Sequence, residues 1–392
     1  VNVAIFTDND FGKINGVTTT LRACLRFAPP DIRLRLYTSD AHGVDTRDYL
    51  ALRSWGMGIP FYREMQIFLP RLPSLLRHAR RDGTDLVHLT TPGPIGLAAL
   101  WVARRLAVPL VGSFHTDLAR YATLLSGSAR LGSLMGTFLR WPYGRCVRVF
   151  VPSEATAEML QAEGIARGKY VIWARGVDSG EFTPARRSAA LRSAWGADAG
   201  TPVVMYAGRV SREKNLAVLP ETEARLQAAG LSHRLVIVGD GPMRGELQAL
   251  LPSAVFTGAV PHDRMPEYLA SADVFAFPSR TDTAGNVVLE AQACGLPAVV
   301  TDEGGPREHV KPGQSALVTD GRRPEAFVAA VETLLRDADM RSRMASAARE
   351  FACTRDWASS LEPLFRTYRE VVAGVPFRAL SSAPAEEQCR AR

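Results

Sequence analysis

The chain has 392 residues, and at roughly 100–200 residues per domain two domains are expected. A hydrophobic share of 46% with 22% charged residues suits globular cores, and no run approaches the ~20 uninterrupted apolar residues of a membrane-spanning helix. Lys and Arg (47) outnumber Asp and Glu (40), a balance that suits a phosphate-bearing partner, while five scattered cysteines exclude a disulfide framework and a zinc site.

Val1–Thr7 runs straight into a strand pattern without a charged leader segment, so a cytoplasmic protein is expected. Short apolar runs then alternate with helical periodicity, the signature of parallel sheets flanked by helices. In the first half, strands are predicted near 2–7, 34–38, 86–89, 109–113 and 147–151, with helices near 17–27, 72–81, 96–106 and 154–162. A second series of strands follows near 203–207, 235–238, 254–257, 274–278, 298–301 and 316–318. Residues 174–200, with Pro184 inside, read as the interdomain segment. This divides the chain into a first domain, 1–178, and a second, 179–356. A last helix is predicted over 357–372, and the tail 375–392 reads as disordered.

Ligands of open α/β sheets bind beyond the carboxyl ends of the strands, so the loops there are the places to search. The most informative run is 277–297. A strand ends at Pro278, a polar loop carries Asp282, Thr283 and Ala284, and a helix starts near Gly285 or Asn286. Val287 follows, and Glu290 lies about one turn inside. Free N–H groups at that helix start and its positive dipole end suit a diphosphate. The two carboxylates can accept hydrogen bonds from sugar hydroxyls, against the plainer reading of Asp282 as a helix-capping acid.

Four other loops qualify. After residue 207, Gly208, Arg209 and Lys214 combine close backbone approach with two cations, against a merely solvated basic loop. After the first strand, the glycine loop 8–16 could bring N–H groups at Gly16 to a phosphate oxygen, against a flexible turn. His115 ends a buried strand, where alone it reads as structural, and His88 reads as structural outright. Gly239-Asp240-Gly241-Pro242 does not complete a dinucleotide fingerprint, and Pro242 suits a helix start. Arg77, Arg80 and Arg81 share a helix with Leu72, Leu75 and Leu76, a face able to contact anionic membrane. No metal-ligand spacing, Gly-x-Ser-x-Gly or full P-loop occurs, and no nucleic-acid-reading motif supports a nucleic-acid partner.

In order and spacing, Asn15-Gly16-Val17, Phe114-His115-Thr116-Asp117, Arg175-Gly176-Val177-Asp178, Gly208-Arg209 with Lys214, Gly239-Asp240-Gly241-Pro242 and the pair Asp282/Glu290 form one pattern. Over residues 1–374 it resembles the retaining glycosyltransferases of family 4, similar to bacterial α-mannosyltransferase-like and sulfoquinovosyltransferase-like members. The resemblance implies a GT-B fold, two Rossmann-like domains facing each other across a cleft, with the last helix, 357–374, crossing back to the first. It implies Arg209 and Lys214 on a donor diphosphate, Gly16 approaching from the other domain, and Glu290 on the ribose. The loop 282–286 with Val287 would hold sugar and phosphates, Gly239, Gly241 and Val260 the nucleobase, and His115 the reacting region. Asp282 stands where Glu is usual, and Ala284 where an aromatic is common.

The resemblance further implies metal-independent retention with no cofactor beyond the nucleotide-diphosphate sugar. Of the residues above, His115, Arg209, Lys214 and Asp282 would be catalytic. GDP-mannose is the expected donor, with a UDP-sugar as the alternative, and a sugar-nucleotide epimerase or hydrolase on the same scaffold competes. The acceptor, whether lipid, glycan or small metabolite, would dock on first-domain loops such as 42–68. Peripheral contact with the inner face of a membrane would use the Arg77/Arg80/Arg81 face.

Overall fold

A computed structural model describes residues 1–9, 16–59 and 62–374. The expectations placed on residues 10–15 and on the tail beyond 374 lie outside the described residues. The first domain runs β1 (Asn2–Phe6), α1 (Gly16–Arg26), β2 (Arg33–Asp40), β3 (Val44–Asp45), β4 (Tyr49–Arg53), β5 (Gly56–Ile59) and β6 (Tyr62–Phe68). It continues through α2 (Leu72–Arg81), β7 (Leu86–Leu89), α3 (Pro94–Leu106), β8 (Leu110–Ser113), α4 (Leu118–Ser126), α5 (Ala129–Gly144), β9 (Arg148–Val151), α6 (Glu154–Ala162) and β10 (Tyr170–Ile172). Its sheet is ordered β10-β9-β8-β7-β1-β2-β4-β3, parallel except for the β3–β4 pair. β7 and β8 are buried along their whole length, as expected of parallel strands covered on both faces.

The second domain runs α7 (Ala189–Ala194), β11 (Val203–Ala207), α8 (Val218–Ala228), β12 (Arg234–Val238), α9 (Arg244–Leu250), β13 (Val255–Gly258), α10 (Met265–Ala270), β14 (Val274–Phe277) and α11 (Asn286–Ala293). β15 (Ala298–Thr301), β16 (Ala316–Thr319), α12 (Pro324–Arg336) and α13 (Ala338–Cys353) complete it. Six strands in the order β13-β12-β11-β14-β15-β16 form its parallel sheet.

α14 (Trp357–Val372) then returns to the first domain. Trp357, Leu361, Leu364, Phe365 and Tyr368 share a core with Val3, Ile5, Leu21, Leu34 and Leu36. Tyr368 Oη lies 2.6 Å from Nδ1 of His88, which is fully buried, so His88 is a packing residue that locks the returning helix. The chain crosses between domains twice at one place. Val177 N–H donates to the Arg355 carbonyl at 2.8 Å, and Gly176 packs so closely on Trp357 that a β-carbon would meet its Cα at 2.6 Å.

Four features depart from the sequence reading. Most of 174–200 is not a linker: Val177, Phe182, Trp195 and Ala197 are already in the second core, because a single crossing strand suffices. The 42–68 segment is not plain loop, since β4 adds a parallel strand and β5–β6 form a hairpin. Residues 118–144 fold as a helical pair whose signal is diluted by Gly132, Gly136 and Pro142. Gly132 is there for packing, as a β-carbon would stand 1.9 Å from Thr123 Oγ1 of α4. Pro242 precedes α9 by two residues rather than opening it.

Candidate active site

Lys214 is fixed by its own loop. A 3₁₀ turn over Arg212–Lys214 ends at Asn215, whose left-handed backbone (φ 56°) and side chain, bonded to the Pro278 carbonyl, tie the turn to the end of β14. Between them, buried Glu213 accepts from Ser211 Oγ, and its carbonyl accepts from Thr281 Oγ1. Lys214 Nζ thereby reaches Asp282 Oδ1 at 2.6 Å, with both side chains largely buried. Burial works against the ammonium, but Asp282 and the nearby Tyr121 and Tyr206 outweigh it and raise the pKa, so Lys214 is firmly charged.

The Asp282 loop is held from below by the turn after β15. Gly305 N–H donates to the Asp282 carbonyl at 2.8 Å, and a β-carbon on Gly305 would stand 2.0 Å from the Thr283 carbonyl oxygen. Gly285, at φ 77°, opens α11 in the left-handed region that glycine tolerates. Two buried polar atoms at this helix start, Asp282 Oδ2 and Asn286 Nδ2, have no partner among the described residues. Such atoms are costly unless something else completes them. Across the cleft, a β-carbon on Gly16 would lie 3.8 Å from Asn286 Nδ2.

Other expected residues are placed differently. Arg209 is partly buried beside Glu213, and its carbonyl accepts from Tyr206 Oη at 2.7 Å; burial lowers its pKa and Glu213 opposes this. Glu290 sits one turn along α11 near His262 and Glu181 rather than Lys214, and burial raises its pKa. Ala284 is buried, whereas Val260 and Val287 lean on the second core. Gly239 and Gly241 have an internal reason to be glycine: β-carbons there would lie 1.9 Å from the Gly208 carbonyl oxygen and 2.3 Å from that of Val210. They let the loops after β11 and β12 pack on each other. Asp8, beyond β1, accepts from the Ile95 and Gly96 amides and so caps α3.

His115 is held on both nitrogens. Arg175 Nη2 stands 3.0 Å from Nδ1, and Ser113 Oγ 2.7 Å from Nε2. A guanidinium can only donate, so Nδ1 is the acceptor and the ring proton is on Nε2, donated to Ser113. Burial and then the Arg175 charge push the imidazole pKa well below its ordinary range, leaving it neutral. Arg175 is itself buried, stacked over Trp173 at 4.7 Å, and burial lowers its pKa to about 10.

Contacts that the sequence reading missed close the cleft. Thr283 Oγ1 donates to the His115 carbonyl at 2.6 Å, and the Thr283 carbonyl accepts from Ser153 Oγ at 3.1 Å. Arg120 pairs with Glu303 at 2.8 Å, while Glu303 also binds Arg280. The Glu308 carboxylate accepts the Glu154 and Ala155 amides and so caps α6 from the other domain. Only the acid-Gly-Gly-Pro run after β15 hinted at these in the sequence.

Comparison with known proteins agrees with this architecture. The family described as Glycosyltransferase Family 4 matches residues 14–181, and that described as Glycosyl transferases group 1 matches 188–351. A GDP-mannose-dependent alpha-mannosyltransferase of Mycobacterium tuberculosis (strain CDC 1551 / Oshkosh) is 34% identical over 95% of this chain and 97% of its own. A sulfoquinovosyl transferase of Arabidopsis thaliana is 32% identical over 91% of this chain and 71% of its own. The Anabaena HepE structure in complex with UDP-glucose has a TM-score of 0.75 at 17% identity, covering 94% of this chain and 99% of its own, a likeness of fold. Two Rossmann-like domains with a cleft between them thus define a GT-B glycosyltransferase. The chain belongs to glycosyltransferase family 4.

Proposed function

We propose that this glycosyltransferase moves mannose from GDP-mannose to an acceptor hydroxyl with retention of anomeric configuration and without a metal. One observation carries the reading: Lys214, the open carboxylate oxygen of Asp282 and the unbonded amide of Asn286 meet at the start of α11, facing Gly16. That cluster offers what a sugar diphosphate asks for, namely a cation and helix-start N–H groups for phosphate and a carboxylate for sugar hydroxyls. In this reading Lys214 turns from Asp282 to the diphosphate, Arg209 joins it, Glu290 takes the ribose, and the 239–241 and Val260 loops flank the base. His115, neutral and aligned by Arg175, stands beside the reacting region.

The acceptor oxygen attacks the anomeric carbon on the face the diphosphate leaves. The new C–O bond forms as the old one breaks, and the departing phosphate oxygen takes the acceptor's proton. Positive charge from Lys214 and Arg209 stabilises that leaving group, the service a metal would otherwise supply, and one such donor is worth roughly 3–4 kcal/mol.

A UDP-sugar is the second reading, since the HepE neighbour is described with UDP-glucose. Thermal shift with GDP-, UDP-, ADP- and TDP-sugars separates them. The matching nucleotide at ~100 times its Kd stabilises by about 2.7 kcal/mol. A melting point unmoved by all four overturns the donor assignment, and donor conversion to an isomer without acceptor overturns transfer.

A further inference from the structure

The first turn of α4 carries two side chains into the other domain. Asp117 caps it: its carboxylate accepts the Arg120 amide at 2.9 Å, and its carbonyl accepts that of Tyr121 at 3.0 Å. So fixed, Arg120 reaches Glu303 at 2.8 Å, and α4 packs against the 212–214 turn that bears Lys214. Arg120 is a half-exposed tether. Tyr121 is mostly buried, and the charged groups that act on it are Lys214, Asp282 and Glu213, all of the second domain. Tyr206, the other phenol near Lys214, shares that lysine's domain and donates to the Arg209 carbonyl.

A chain of hydrogen bonds decides how the Tyr121 hydroxyl is used. Thr281 Oγ1 donates to the Glu213 carbonyl at 2.9 Å, so its one proton is committed there. The Tyr121 hydroxyl bonds the same Thr281 side chain, which can then only accept, so Tyr121 is the donor. Its oxygen lone pairs are left for the Lys214 ammonium, which has three protons and directs one of them to Asp282 Oδ1. Burial pushes the phenol pKa up to about 12 against the opposing pull of Lys214, so the group stays a neutral hydroxyl and takes no proton during transfer.

We propose that Tyr121 is a positioning residue of the transfer reaction: reaching in from the first domain, it holds the Lys214 ammonium in line for the donor diphosphate once the domains have closed. The role rests on the transferase reading, whereas the contact does not. Lys214 is paired with Asp282 and has to leave that carboxylate to meet a phosphate. A second oxygen beside the ammonium keeps it oriented as it turns, instead of leaving its freed protons to water. Because that oxygen belongs to the other domain, Lys214 is aligned only in the closed form, and stabilisation of the leaving group waits for closure.

The sequence holds only four lysines, Lys13, Lys169, Lys214 and Lys311, so the full chain with isotope-labelled lysine gives a side-chain nitrogen spectrum in which Lys214 is assigned by its loss in Lys214→Ala. In the ligand-free protein, Tyr121→Phe keeps the ring, removes the hydroxyl and is expected to shift the Lys214 signal alone. Thr281→Val unties the hydroxyl without touching the ring and shifts it too, and it carries the test if thermal melting shows Tyr121→Phe to be unfolded. A Lys214 signal unmoved by these variants overturns the proposal. Titration with GDP, and with UDP as the second nucleotide, tests the role. Tyr121→Phe is expected to weaken the nucleotide that the wild type binds by about tenfold, and to weaken it no further in a Lys214→Ala background. An effect of equal size with and without Lys214 makes Tyr121 a packing residue and overturns the proposal, as does wild-type affinity in Tyr121→Phe. A shifted Lys214 signal with neither nucleotide bound by the wild type keeps the contact but removes the donor reading, and the role of Tyr121 with it.

Discussion

Lys214 and Asp282, 68 residues apart in sequence, form an ion pair at 2.6 Å across the loops that follow β11 and β14. Each is the other's main electrostatic partner, so substituting one alters the other. Lys214→Ala is expected to lower transfer by about 10²–10³-fold. It also costs about 2 kcal/mol of stability, less than the ~3–5 kcal/mol of a fully buried broken pair because solvent reaches both groups. Steady-state transfer and thermal melting measure the two effects. Arg209→Ala is expected to lose activity to a similar extent with a smaller change in melting point.

The Arg175–His115 contact sets a tautomer, and that is open to spectroscopy. Nitrogen-15 imidazole shifts of the wild type are expected to show the proton on Nε2 and no titration near neutral pH. Arg175→Leu removes the donor to Nδ1 and, after burial, the larger of the two electrostatic causes that depress the pKa, His88 being the other, so the His115 titration moves upward. Burial remains and keeps it below the ordinary 6.5. An unshifted titration counts against the assignment of Nδ1 as acceptor.

Gly239→Ala is expected to destabilise the second domain by roughly 2–4 kcal/mol, through a forced shift of two packed loops. Gly245→Ala, where a β-carbon meets nothing within 4 Å, is the matched control and leaves the melting point nearly unchanged. Equal effects at the two positions contradict the packing explanation.

Glu223 and His233, 2.8 Å apart and nearly buried, make a stability switch outside the cleft. Burial opposes both charges, but their hydrogen bond raises the His233 pKa above 6.5 and lowers that of Glu223 below 4.5. His233 contributes fully below pH 6.5 and loses its contribution as pH rises through its raised value. Glu223 contributes above pH 4.5 and loses its contribution as pH falls through its lowered value. The melting-point gap between wild type and Glu223→Gln is thus expected to peak between pH 4.5 and 6.5. A gap flat from pH 4 to 9, roughly the span of both transitions, contradicts the pairing.

Thr283 and Glu303 hold the domains together by contacts worth about 1 kcal/mol or less apiece. Thr283→Val combined with Glu303→Ala is expected to move the open-to-closed ratio by up to about thirtyfold. Solution scattering reads this as a larger radius of gyration, and an unchanged radius argues that other contacts set the closure.

The sheets were legible because parallel strands are continuous apolar runs, as in Val203–Ala207, and α2 matched its predicted bounds because Leu72, Leu75 and Leu76 recur at helical spacing. The start of α11 was legible for a similar local reason, a strand end, an acid and a glycine in sequence. Contacts between distant loops were not. Nothing near Glu303 names Arg120, 183 residues away, and nothing near His115 names Arg175, because such pairs arise only when two sheets fold and meet. The packing of Gly239 and Gly241 against Gly208 and Val210 was not legible either, since it leaves no local mark in the sequence.

The paired crossings at Val177 and Arg355 have a mechanical consequence. Two lobes fastened along one short seam, with the remaining attachments weak and polar, can pivot about that seam while each keeps its interior intact. Displacement then grows with distance from the pivot: residues beside the seam barely move, and those at the far rim travel furthest. The imidazole and guanidinium of His115 and Arg175, next to the axis, would keep their mutual alignment through such a swing, whereas opening would have to break the tether between Arg120 and Glu303.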